Sequence, residues 1–157
     1  MSKTNSSLPD FLTADLQQKL LEAASRAQGH AYAPYSKFLV GSAVLDEQGR
    51  IHAGCNVENA AYPQGTCAEA GALSAMVLSG GRKLRAVVVV GDGEELVTPC
   101  GGCRQKLREF ASGDTLVLVA DRQGIRRSFT LDELLPSSFG PDNLPAQPPA
   151  TGPRDGR

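Results

Sequence analysis

Leu16, Leu20, Leu21, Ala24 and Ala27 recur at three- and four-residue spacing. That is the period of one helix face, so a helix is predicted over 13–27, with Thr13 or Asp10 to cap it and Gly29 to stop it. Ala33-Pro34-Tyr35-Ser36 breaks the pattern, and 38–45 and 50–56 read as two strands joined across Asp46-Glu47-Gln48-Gly49. After Tyr62-Pro63-Gln64-Gly65, the stretch 66–79 is rich in Ala, Leu and Met and ends at Gly80-Gly81, which predicts a buried helix beginning at Cys67. Residues 84–90 form a continuous apolar, β-branched run, as expected of a strand covered on both faces; 100–111 is helical and 115–120 is another such strand. Strand, helix, strand implies a parallel crossover. A turn at 121–124 leads to a strand over 126–129, and 131–135 reads as a short helix opened by Thr130 or Asp132. From Gly140 onward Pro, Gly and charge dominate, so 10–139 is expected to be one domain and 140–157 a disordered tail. No internal repeat is visible.

Composition narrows the classes. At 157 residues with 41% hydrophobic content the chain can bury one real core. A formal net charge of −1, with both signs scattered, gives no footprint for a phosphate backbone, so a small, weakly charged substrate fits better than nucleic acid. No window approaches the apolar length of a membrane span, and residues 1–9 lack the apolar stretch of a secretory signal; a soluble, cytoplasmic protein is expected.

Chemistry concentrates in Cys67-Ala68-Glu69 and Pro99-Cys100-Gly101-Gly102-Cys103. Close Cys-x-x-Cys spacing without a secretory signal favours metal over two disulfides. Structural zinc is nearly always closed by four protein ligands, whereas catalytic zinc keeps a position for water. Cys67, Cys100 and Cys103 leave such a position. A structural site completed by His30, His52 or Cys55 is the bland alternative. If Cys67 opens one helix and Cys100 and Cys103 another, all three sulfurs lie at positive helix ends, where unpaired N–H groups favour thiolate. Three thiolates make a metal-activated water less acidic than three neutral histidines do, so a base is needed, and Glu69 is two residues from Cys67. Taken alone, Glu69 also suits the start of a helix dipole.

These two motifs resemble the zinc-dependent cytidine deaminases, the small homotetrameric type acting on free nucleosides, over roughly 12–139. The resemblance implies a three-layer α/β/α fold with a mixed sheet of about five strands and one Zn²⁺ per subunit on Cys67, Cys100 and Cys103. Glu69 would be the proton shuttle in hydrolysis of cytidine and 2′-deoxycytidine to the uridine counterparts, a step of pyrimidine salvage. It gives meaning to Gly54-Cys55-Asn56-Val57-Glu58-Asn59-Ala60-Ala61-Tyr62-Pro63: Asn56 and Glu58 would bind ribose hydroxyls, with the Ala60 backbone and Tyr62 near the 5′ hydroxyl. Phe38, in Pro34-Tyr35-Ser36-Lys37-Phe38, would line the pyrimidine pocket, and the Ala68 N–H would meet the base O2. Phe139, within 134–141, would reach into a neighbouring subunit's active site, placing sites at interfaces of a homotetramer.

One position departs from the family pattern. An arginine commonly follows the glutamate and hydrogen-bonds the thiolates, but this chain has Ala70. Arg104 and the helix dipoles are then the candidates to offset thiolate charge. Cys55 is expected to be a buried small residue, and His30 and His52 to lie on surface or loop. Rival readings are a deaminase of another aminopyrimidine nucleoside and a zinc-stabilised nucleoside-binding module without turnover. A nucleic-acid editing enzyme is disfavoured by the near-neutral charge and the absence of Trp.

Overall fold

The computed structural model describes residues 8–145. Helix α1 (Ala14–Gly29) is capped by Thr13, whose Oγ1 accepts from Leu16 N at 3.2 Å. It runs through Gly29 to a cap at His30, past the predicted stop. Strands β1 (Val40–Asp46) and β2 (Ile51–Cys55) form the expected hairpin. A 3-10 turn at Tyr62–Gln64 precedes α2 (Ala68–Leu78). Then follow β3 (Leu84–Gly91), α3 (Gly101–Arg108), β4 (Leu116–Asp121), β5 (Gly124–Thr130) and α4 (Leu131–Leu134). Thr130 and Glu133 close a full capping box on α4.

The strands make one mixed sheet in the order β2-β1-β3-β4-β5. Only β3 and β4 run parallel, joined by the crossover through α3, as strand, helix, strand predicts. Alternation in β3 divides the interior. Val87 and Val89 face α2, α3 and α4 through Ala72, Leu73, Met76, Leu107, Leu131 and Leu134. Ala86, Val88 and Val90 face α1 through Leu20, Ala23 and Ala24. The result is three layers with the sheet in the middle.

Two expectations need correction. The strand predicted from residue 38 begins at Val40, because Lys37 adopts φ 60° and Ser36 Oγ accepts from Phe38 N at 3.0 Å, which holds 36–38 as a turn. The tail expected to be disordered from Gly140 begins with a 3-10 turn at Pro141–Asn143. It is tied by Gly140 N to Asn143 Oδ1 at 2.8 Å and by Arg108 Nη2 to Asp142 Oδ2 at 2.8 Å. Residues 146–157 of that segment lie outside the described residues.

His52 is also misplaced by the sequence reading. It sits on β2 with its side chain 8% exposed, and its Nε2 lies 2.8 Å from Asp46 Oδ2. Asp46 is fully buried at the end of β1, where its carboxylate also accepts from Gln48 N, Arg50 N and Arg50 Nε. Burial pushes its pKa up, but the bonds from His52, Arg50 and Gln48 outweigh this and hold it at about 2, below the ordinary 3.8. The folded-state value is the lower one, so the carboxylate stabilises the fold above about pH 4 and that contribution disappears as pH falls toward 2. Asp46→Asn should lower stability by about 2 kcal/mol at neutral pH and flatten this acid limb, as read from denaturant midpoints against pH.

Candidate active site

Both cysteine motifs fall where helices start. Cys67 is the N-cap of α2 and Cys100 the N-cap of α3, both with extended backbone, and neither side chain caps its own helix. Cys103 lies in the first turn of α3 and is fully buried. The sheet brings the two starts together: the sulfurs of Cys67 and Cys100 are 3.9 Å apart, and all three lie within 4.8 Å of one another. Three sulfurs on a tetrahedron around zinc, each about 2.3 Å from it, would be separated by about 3.8 Å, so the donor set fits.

Burial raises the Glu69 pKa above the ordinary carboxylate range, only partly offset by its backbone N–H, the Cys103 thiol and the Lys106 charge; the residue is 4% exposed. Burial likewise raises Cys67 and lifts Cys103 far above the usual thiol range, where the charges of Glu69 and Cys67 add to the effect. Burial opposes ionisation of Cys100 as well, but hydrogen bonds from Cys103 and Cys67 bring its pKa below the ordinary value. Four acidic groups crowded together resist becoming anions at once. A bound dication reverses that balance and drives the thiols to thiolates.

Position 54 decides how close α2 can come. A Cβ on Gly54 would lie 2.3 Å from Ala72 N and 2.6 Å from Ala68 O, so only glycine lets β2 press against the first turns of α2. Arg104 braces the other motif. Its Nε donates to Pro99 O at 2.7 Å, Nη1 to Leu134 O at 2.8 Å and Nη2 to Thr98 Oγ1 at 2.9 Å. The guanidinium is thus committed to the segment leading into Cys100 and to the end of α4. As a partner for the thiolates it is spoken for.

A hollow of about 170 Å³ is lined by Val40, Asn56, Cys67, Ala68, Glu69 and Cys100, with Val89, Val97 and Thr98 completing it. Ala68 is buried in the first turn of α2, where its N–H has no partner within the helix ladder. A second hollow, of about 380 Å³, is lined by Tyr35, Ser36, Glu58 and Tyr62. Phe38 is 43% exposed and borders a third with Val97 and Thr98. Ala60 is exposed in the loop before the 3-10 turn, and Phe139 is 60% exposed with its carbonyl held by Gln105 Nε2 at 3.0 Å.

Asn56 and Glu58 also have internal duties. Asn56 Oδ1 accepts from Val40 N at 2.8 Å, and Nδ2 donates to Phe38 O at 2.9 Å. The Glu58 carboxylate accepts from Tyr35 N at 2.9 Å, from Ser36 N and from Ser36 Oγ. Both fix the 34–40 segment that carries Phe38. Sequence reasoning missed Val97 and Thr98, which are ordinary residues in a loop with no motif. It also missed Ser36, whose role depends on the left-handed backbone at Lys37, which an ordinary lysine does not announce. Cys55 is half-buried at the end of β2, outside the thiol cluster, and His30 is exposed.

Residues 14–119 match the family model for the cytidine and deoxycytidylate deaminase zinc-binding region. The chain belongs to this deaminase family. It is 42% identical over 127 residues to a cytidine deaminase of Sporosarcina psychrophila, covering 81% of this chain and 93% of that one. A cytidine deaminase of Halalkalibacterium halodurans is 40% identical over 128 residues, covering 82% and 97%. Among solved structures, cytidine deaminase from Burkholderia pseudomallei superposes with a TM-score of 0.73 at 39% identity, covering 78% of this chain and 98% of that one. The deaminase family thus accounts for both the fold and the zinc-type cysteine cluster. No helix among the described residues is long and apolar enough to cross a membrane.

Gly54→Ala should displace the start of α2, costing about 1–3 kcal/mol by overpacking and weakening zinc retention together. Thermal midpoints and metal content after dialysis check this; a variant with unaltered metal content would break the link between the β2–α2 approach and the site.

Proposed function

We propose that this chain hydrolyses cytidine and 2′-deoxycytidine to uridine and 2′-deoxyuridine, consuming water and releasing ammonia, as a step of pyrimidine salvage. The observation that carries the reading is the convergence of three thiols from two helix starts with a buried carboxylate beside them. When bound, zinc supplies Lewis-acid activation of water at neutral pH.

The remaining work belongs to the chain. Glu69 takes a proton from the attacking water and passes it to N3 of the base; it then takes the remaining proton from the oxygen added at C4 and delivers it to the amine, which leaves as ammonia while C4 becomes a carbonyl. Its raised pKa suits a group that must hold a proton as well as give one up. The Ala68 N–H is assigned to the base O2, and Phe38 to the ring. Asn56 and Glu58 are assigned to the ribose hydroxyls. Their internal hydrogen bonds support this role, because a polar group already fixed in place loses little freedom when substrate arrives. A carboxylate has about four lone-pair positions, so Glu58 keeps capacity for a hydroxyl. The Ala60 backbone and Tyr62 are assigned to the 5′ end.

A homotetramer with one zinc per subunit and Phe139 completing a neighbour's site is part of this reading. It is supported by the exposure of Phe139 and by Val77 and Leu78 on α2, the latter 89% exposed. A cytoplasmic location agrees with four cysteines that are all free.

Purified, zinc-loaded protein should bleach the ultraviolet absorbance of cytidine with matching release of ammonia. Glu69→Gln should cut turnover at least about 100-fold while zinc stays bound. Full activity in that variant would remove Glu69 from the mechanism, and inert wild-type protein would reject the deaminase reading in favour of binding alone.

A further inference from the structure

Zinc brings two positive charges to a site whose three thiolates bring three negative ones, with the Glu69 carboxyl buried beside them. Such an excess in a partly buried place calls for a cation nearby. α3 carries two candidates close to its cysteines, Arg104 and Lys106, and Arg104 is already spent on Pro99, Thr98 and Leu134.

Lys106 is placed differently. Its Nζ lies 3.7 Å from where a Cβ on Gly102 would sit, so the ammonium reaches back over the first turn of α3, at the second of the two glycines between Cys100 and Cys103. Among the described residues no acidic side chain forms an ion pair with it. A lysine in the last turn of a helix is usually favoured by the carbonyls at the C-terminal end. This one approaches the positive end, which is unfavourable unless anions there outweigh the dipole. The facing helix makes room for it: Ala70 on α2 and Lys106 line the same groove.

We propose that Lys106 is the counter-charge of the metal centre, a positioning residue whose ammonium stabilises the three-thiolate zinc state through space without touching metal or substrate. The inference rests on reading the cluster as the deaminase zinc site.

Zinc affinity, measured by competition with a chromogenic chelator at low ionic strength and at about 0.5 M salt, tests the idea without reference to turnover. Lys106→Met keeps most of the aliphatic stem and should weaken zinc binding roughly fivefold at low salt, the size of one exposed charge interaction. The difference should shrink in high salt, and Lys106→Arg should restore wild-type affinity. Equal affinity of Lys106→Met and wild type at low salt would overturn the proposal. So would a loss that Lys106→Arg shares or that salt leaves unchanged, since each marks a packing role. Cytidine turnover by wild type, run in parallel, separates the two readings: turnover with charge-insensitive zinc affinity sinks the role of Lys106 alone, while charge-sensitive affinity without turnover sinks the catalytic reading alone.

Discussion

Two helices begin at the same point in space, and the rest of the structure serves that meeting. The first turn of any helix leaves N–H groups without partners, and both N-cap residues here are cysteines whose side chains do not cap their own helices. Their sulfurs are therefore available to each other and to a cation. What holds the two starts together is the central sheet, with β2 pressed against α2 at Gly54 and the β3–β4 crossover setting α3. The metal centre is thus a product of sheet geometry as much as of the cysteines.

The groups around the centre do double service. Asn56 and Glu58 look like recognition residues in the sequence, yet in the folded chain they are struts for the turn that presents Phe38. Arg104 looks like a charge reservoir and turns out to be a brace for the peptide entering Cys100. A site built this way has few side chains that can change without moving another. Polar groups locked in advance have little freedom left to lose when a ligand arrives.

Most of the fold was legible because its signals are local. The three- and four-residue spacing of leucines and alanines marked α1, the β-branched run marked β3, and Thr130 or Asp132 marked the start of α4, of which Thr130 is the cap. That three cysteines come together was legible from the spacing of Cys100 and Cys103 on one helical turn combined with a second helix start at Cys67. What stayed hidden depends on contacts between distant residues. The Asp46–His52 pair follows from the register that sets Val44 opposite His52, which no single-strand pattern reveals. The start of β1 was misread because a residue in left-handed conformation at Lys37 overrides an otherwise extended-looking run. The backward reach of Lys106 over Gly102 needed the helix itself, because only the spatial path of the side chain distinguishes it from an ordinary lysine near a helix end.

The linear distance between the two halves of the thiol cluster has its own meaning. Cys67 and Cys100 stand 33 positions apart. An ion gripping both ties off a loop containing all of α2, all of β3 and the segment that follows, much as a covalent cross-link would, and forbids many of the open arrangements that stretch of chain could otherwise sample. The same ion that equips the protein for chemistry thereby acts as a clasp on the middle of the chain, coupling the working lifetime of the fold to its grip on the metal.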